Sequence, residues 1–118
     1  MSDYRKLEVW AKAHQLTLEI YRATKTFPKD ELYGLVSQMH RAASSIPMNI
    51  AEGSGRGSNA DYARCVQIGL GSMNELEYQL LLARDLGFLT EAHFQQMDTD
   101  VKQIGRMLVG LMRHLRST

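Results

Sequence analysis

Apolar residues recur at alternating steps of three and four along most of this chain, and this spacing constrains its fold more than any other feature. The clearest run consists of Phe94, Met97, Val101, Ile104, Leu108, Leu111 and Leu115. Because an α-helix has about 3.6 residues per turn, these side chains form one stripe, which is the packing seam of a helix bundle. No segment alternates with the two-residue period of a strand, so the sequence predicts an all-α protein.

The first half of the chain contains two segments with helical spacing. The first is predicted over residues 3–26 and ends at Phe27, because a residue before proline resists the α conformation. Asp30 is the expected N-cap of the second. The apolar period continues across Pro47, so we expect the second helix to be kinked there rather than ended.

The second half contains two more segments, each with recognisable end signals. The third helix is predicted to begin after a Ser58 cap and to end at Gly87, which can adopt a left-handed conformation. Thr90 is the expected cap of the fourth. Because the links are short, neighbouring helices must run antiparallel. We therefore predict an antiparallel up-down-up-down four-helix bundle that forms a single domain over residues 1–118.

Composition and charge exclude several classes of protein. One cysteine, Cys65, cannot form an intrachain disulfide. No apolar run approaches the roughly 18 residues of a membrane span, and the charged N-terminus does not resemble a signal peptide, so a cytoplasmic protein without a membrane partner is expected. The formal net charge is +1, but every charged residue after Val101 is basic.

The sequence lacks the residue patterns of an enzyme or a metalloprotein. Di-iron bundles use Glu-x-x-His pairs, yet none of the residues three positions before a histidine is a carboxylate. These residues are Ala11, Ser37, Thr90 and Leu111. Cys65 is predicted to be a small buried residue, and the glycine-rich loop at residues 53–58 lacks the strand and the Lys-Ser/Thr pair of a nucleotide P-loop. We expect no catalysis, no metal and no cofactor.

A stripe of polar side chains on the second helix is the most informative surface feature. The stripe consists of Gln38, Arg41, Ser45, Asn49, Glu52 and Arg56. Hydrogen-bond donors and acceptors alternate along it, which favours a network that closes on Glu75 or Gln79 of the third helix. Such a network either fixes the register between helices or subunits, or forms a ligand or nucleic-acid site.

Two further surfaces are candidates for contact with partners. Basic side chains on the fourth helix, together with one in the glycine-rich loop, are the candidate nucleic-acid contacts: Lys102, Arg106, Arg113, Arg116 and Arg56. The alternative for the residues near the helix end is stabilisation of the helix dipole. The first helix carries two apolar stripes, which together span about 200° and predict burial on two sides, against the bundle and against something else. The first stripe is Val9, Ala13, Leu16 and Ile20, and the second is Leu7, Trp10, Leu18 and Tyr21.

The segment at residues 38–57, which includes Asn-Ile-Ala-Glu-Gly at 49–53, resembles the four helix bundle protein family, also known as proteins encoded in 23S rRNA intervening sequences. Further matching segments are Leu7–Trp10, Phe27–Pro28, Tyr33–Leu35, Gly71–Glu77 and Leu82–Gly87. The matching positions of the polar stripe and Glu75 define the family without assigning chemistry to these residues.

The resemblance implies a bundle that assembles as a homopentamer and for which no enzymatic activity is established. A related branch, the accessory protein of diversity-generating retroelements, is strongly basic and binds nucleic acid and a reverse transcriptase; the net charge of +1 departs from that branch. The expected function is therefore a non-catalytic homo-oligomeric scaffold, taken as a pentamer, that associates with RNA or DNA. The alternative is a module that docks a partner polypeptide without binding nucleic acid.

Overall fold

Four α-helices account for most of residues 3–117, the part of the chain that the computed structural model describes. They are α1 (Glu8–Ala23), α2 (Ser37–Ser54), α3 (Asn59–Asp85) and α4 (Glu91–Arg116). Each helix packs on the next, and α4 returns to α1, so that α1 lies diagonal to α3. No strand occurs within these residues. The predicted all-α, antiparallel four-helix bundle is confirmed.

Both ends of α3 form as the sequence predicts. The Ser58 hydroxyl accepts a hydrogen bond from the backbone N–H of Asp61. At the other end Gly87 adopts φ +81°, the backbone N–H of Phe88 donates to Ala83, and that of Gly87 donates to Arg84. This pair of bonds is a Schellman motif, which satisfies carbonyls that the helix end leaves free.

The start and the seam of α4 also follow the sequence pattern. The Thr90 side chain accepts from the backbone N–H of His93, which caps the helix. All the predicted seam residues are buried except Leu111, which is half-buried. None of the helices in residues 3–117 is long and apolar enough to cross a bilayer.

The connection between α1 and α2 differs from the prediction. A 3-10 turn at Lys29–Glu31 and a π-helical turn at Leu32–Val36 precede α2, so Asp30 lies inside a turn and is not an N-cap. Gly34 has non-helical angles (φ −112°, ψ −108°), which the absence of a Cβ permits. By contrast α2 runs continuously through Pro47, which is buried. The helix thus continues past Pro47, as predicted, and the non-helical backbone angles lie at Gly34.

The core is built from the facing stripes of all four helices. Its fully enclosed side chains include Ile20, Met39, Ile46, Leu76, Leu80, Met97, Ile104 and Leu108. A buried hydroxyl also joins two neighbouring helices. Thr17 of α1 donates to the carbonyl of Ala13 in its own helix (2.8 Å) and to that of Ala43 in α2 (3.1 Å). The hydrogen bond to Ala43 helps to fix the axial register of α1 against α2.

Candidate interaction surfaces

The centre of the polar stripe forms a network that links α2 to α3. The Asn49 amide donates to the carbonyl (2.8 Å) and the hydroxyl (3.0 Å) of Ser45, and the Ser72 hydroxyl donates to the Ser45 hydroxyl (2.8 Å). The network thus closes on Ser72, and not on Glu75 or Gln79 as expected. Gln79 is buried, but its Oε1 accepts no hydrogen bond from residues 3–117. Hydroxyls at the interhelical contact, rather than longer side chains, join the two helices.

The outer members of the stripe do not belong to this network. Glu52 and Arg56 form an exposed ion pair (2.8 Å) one helical turn apart, and the hydrogen bond to Glu52 raises the pKa of Arg56, with a smaller contribution from the nearby Cys65 thiol. Gln38 and Arg41 are exposed and form no side-chain hydrogen bond or ion pair within the described residues. Glu75 is likewise exposed and unpaired there. An unpaired cation, Arg41, and an unpaired anion, Glu75, are therefore available for contacts outside the chain.

Exposed apolar side chains flank the network. Met48 of α2, three residues beyond Ser45, is 59% exposed, and Ile68 of α3, four residues before Ser72, is 55% exposed. Helical spacing places each on the same face as its serine. We define the α2–α3 face as Arg41, Ser45, Met48, Glu52, Ile68, Ser72 and Glu75. It combines exposed apolar area with a polar centre that is satisfied within the chain.

The basic residues of α4 occupy different environments. Lys102 Nζ lies 2.7 Å from Asp98 Oδ2, and this hydrogen bond raises the pKa of Lys102. Arg116 donates to the side chain of Gln67 on α3 (3.1 Å). Arg106 and Arg113 are exposed and have no carboxylate partner in residues 3–117. On α4, the positive charge available to a partner is therefore concentrated on these two arginines.

A groove between α3 and α4 brings part of the predicted basic set together. Its volume is ≈ 670 Å³, and one of its sides is lined by Lys102, Arg106 and Arg113. The apolar residues Leu70, Met73 and Val109 also line it, as does Glu77 of α3. The other two predicted basic residues, Arg56 and Arg116, do not line it.

The thiol and the histidines do not form a clustered site. Cys65 is buried, and no group of three or more histidine, cysteine, aspartate or glutamate residues within 3–117 is arranged to hold a metal ion. His93 lies 3.2 Å from the Glu19 carboxylate, which links α4 to α1.

An aromatic pair between α1 and α2 was not predicted from the sequence. The rings of Tyr21 and His40 stack with centroids 3.8 Å apart and planes 16° from parallel, and the Thr24 hydroxyl lies 2.8 Å from His40 Nε2. Burial lowers the pKa of His40. The only feature of the sequence that indicated this contact was the second apolar stripe of α1, which contains Tyr21. Nothing in the sequence around His40 indicated it, because the partners of His40 come from outside its own helix.

The rest of that second stripe is only partly covered. Leu7, Trp10 and Leu18 are half-buried, and Trp10 packs edge-on against Tyr4 (5.2 Å) and stacks on His14 (5.0 Å). Aromatic contacts within α1 and its preceding turn thus cover part of the area for which the sequence predicted an external partner.

The sequence of the chain matches a known family over nearly all of its length. A family model described as 23S rRNA-intervening sequence protein matches residues 5–110. The chain belongs to this family. Among curated proteins no match was found.

A solved structure has the fold of this member of the 23S rRNA-intervening sequence protein family. It is a protein of unknown function from the S23 ribosomal protein family of Bacteroides thetaiotaomicron, with a TM-score of 0.82 and 24% sequence identity. The match covers 89% of this chain and 95% of that one. At this identity the similarity establishes the fold alone.

Proposed function

We propose that this chain is a non-catalytic scaffold that assembles with copies of itself, as a pentamer, and holds nucleic acid against α4. The assembly part of the proposal rests on the α2–α3 face. Met48 and Ile68 are each more than half exposed around a network whose polar groups are satisfied within the chain. Contiguous exposed apolar area of this kind marks a contact surface, because covering it removes apolar area from water.

The same face also carries charge that can pair with a neighbouring copy. Arg41 and Glu75 are exposed, opposite in sign and unpaired within the described residues. A ring requires a heterologous interface, in which this face packs against a different surface of the next copy, and Arg41 and Glu75 can then pair with opposite charges on that surface. The resemblance of the sequence to the family supplies the count of five.

Light scattering over a range of protein concentrations tests the assembly. Met48→Glu and Ile68→Glu are expected to lower the mass toward that of the 13.4 kDa protomer, because each places a charge in the contact. Leu86→Glu is the control, since Leu86 is also exposed (51%) but lies at the end of α3, away from the network. A wild-type chain that stays a monomer at every concentration would contradict the assembly.

The nucleic-acid part of the proposal rests on Arg106 and Arg113. Both are exposed and lack a carboxylate partner in residues 3–117, and both line the α3–α4 groove. In a ring of copies the pairs of arginines are repeated, which strengthens the attraction for a polyanion by multivalency. The family description, which refers to sequences intervening in 23S rRNA, is consistent with a nucleic-acid setting.

Salt titration of RNA and DNA binding tests this part. If both arginines bind phosphates, Arg106→Gln/Arg113→Gln should weaken binding to all sequences alike. The slope of log affinity against log salt should also fall by about 0.9 on duplex DNA, or about 0.7 on a single strand, for each phosphate that is no longer neutralised. Arg64→Gln is the control, because Arg64 is exposed but already paired with Asp61 (3.5 Å). Absence of binding at low salt would exclude the nucleic-acid role and leave the assembly proposal standing.

The apolar lining of the α3–α4 groove favours a second candidate, a docking module for a partner polypeptide. Phosphates gain nothing from contact with Leu70, Met73 or Val109, whereas the apolar face of an amphipathic helix with acidic flanks does. Val109→Asn, which removes apolar area without adding charge beside the two arginines, discriminates the two candidates: it should weaken docking of such a helix, measured by cross-linking to a purified partner. Binding of nucleic acid through Arg106 and Arg113 should persist in this variant.

A further inference from the structure

A small cavity lies where α1 ends and α2 begins. Its volume is ≈ 280 Å³, and its walls are largely apolar. The walls include the side chains of Tyr21, Phe27, Leu32, Val36 and His40. Lys25 and Lys29 also line it, so that an apolar cavity with an aromatic wall carries two cations at its edge.

The Tyr21 ring is held in place but remains open on part of its surface. His40 covers one face of the ring at a centroid distance of 3.8 Å, yet Tyr21 is 44% exposed. The Thr24 hydroxyl lies within hydrogen-bond distance of the carbonyl of Ile20 (2.9 Å) and of Nε2 of His40 (2.8 Å). The contact with Nε2 fixes the imidazole, and through it the orientation of the tyrosine ring.

The charge at the cavity edge is positive. Lys25 and Lys29 are exposed, and neither forms an ion pair within residues 3–117. Asp30 and Glu31 follow in the chain but do not line the cavity. An occupant with a planar apolar part and an anionic part would match both the ring and the lysines.

We propose that this cavity binds an unpaired nucleotide of a nucleic-acid strand, with its base stacked on Tyr21 and its phosphates on Lys25 and Lys29. The inference rests on the nucleic-acid part of the proposed function and adds a contact remote from Arg113, which lies toward the opposite end of the bundle. Stacking of bases on aromatic side chains beside a basic surface is how proteins hold single strands. Bases inside a duplex are already stacked and cannot enter.

The test measures binding of the whole protein to four probes: a short single-stranded RNA, a DNA of the same sequence, the corresponding duplex and a free nucleoside monophosphate. The single strands should bind more tightly than the duplex. Tyr21→Leu should lower affinity for the single strands about tenfold, because the base loses the aromatic ring on which it stacks. Tyr21→Phe, which keeps the ring, should restore binding, and Lys25→Gln/Lys29→Gln should weaken it and reduce its salt dependence.

Tyr78→Leu is the matched control, because Tyr78 is also exposed (61%) but lies on α3, diagonal to α1. Circular dichroism and light scattering on each variant exclude unfolding and altered assembly as causes of weaker binding. Equal affinity of Tyr21→Leu and wild type, equal binding of duplex and single strand, or binding of the free monophosphate alone would overturn the inference. If the single strand then still depends on Arg106 and Arg113, the nucleic-acid part of the proposed function survives.

Discussion

At the scale of single residues, Gly53 sets how closely α2 approaches α3. A Cβ added at this position would lie 2.6 Å from Cδ1 of Tyr62 and 3.0 Å from the Cβ of Cys65. Gly71 is the opposite case, because a Cβ there has no neighbour within 4 Å. The signature Asn-Ile-Ala-Glu-Gly segment therefore ends on a glycine that the packing of two helices requires.

This contrast gives a paired prediction for stability. Gly53→Ala should lower the free energy of unfolding by about 1–3 kcal/mol, as overpacked sites do. Gly71→Ala should raise it by up to about 1 kcal/mol, because alanine is the better helix former at an exposed position. Urea denaturation of both variants measures the effect, and a Gly53→Ala variant as stable as wild type would show that Tyr62 can move aside.

His40 makes stability depend on pH in a definite direction. Its pKa is lowered from the ordinary 6.5 because burial disfavours the charged ring. As pH falls, the unfolded chain therefore takes up the proton at a higher pH than the folded protein does. The contribution of His40 to the free energy of unfolding is thus complete above pH 6.5 and declines as pH falls from there toward the lower folded-state pKa. Thermal unfolding from neutral to mildly acidic pH should show a flatter profile for His40→Gln than for wild type. His114→Gln, at an exposed position, should follow wild type.

At the scale of elements, the sequence predicts best where the determinants of a helix end are local. Ser58, Gly87 and Thr90 act on backbone groups within a few residues, and all three occupy the predicted caps. The predicted start of α2 is wrong because the determinants of this helix end are not local. The break at Gly34 and the π-helical turn around it place Leu35 and Val36 in the core. Burial of these apolar side chains outweighs the local signal from Asp30.

The cap of α4 provides a prediction for a whole element. Thr90→Ala removes the hydrogen bond to the backbone N–H of His93 and should destabilise the protein by about 1 kcal/mol. Thr99→Ala, at an exposed position within the same helix, should leave stability unchanged or raise it slightly, because alanine is the better helix former. Differential scanning calorimetry of the two variants compares the same chemical change inside and at the end of one helix.

At the scale of the whole molecule, the candidate surfaces were predictable only where one helix supplies them. The α4 arginines and the α2 stripe follow from helical spacing. Ser72 and the Tyr21–His40 stack do not, because each joins residues of different helices whose rotation is set by packing. The sequence also does not tell which basic side chains are free to bind a partner. Arg116 donates a hydrogen bond to Gln67 of α3, a residue that lies far away in the sequence.

The seam between α1 and α4 has a consequence for the order in which the bundle opens. Cavities of ≈ 370 Å³ and ≈ 670 Å³ lie along it. By contrast, α2 and α3 approach each other closely at Gly53 and are joined by the hydrogen bond between the Ser45 and Ser72 hydroxyls. Segments with fewer buried contacts open at lower free energy. In native-state hydrogen exchange, the amides of α1 should therefore exchange through a sub-global opening, whereas those of α2 and α3 should exchange only when the whole protein unfolds. The hairpin of α2 and α3 would then be the last cooperative unit to lose its structure.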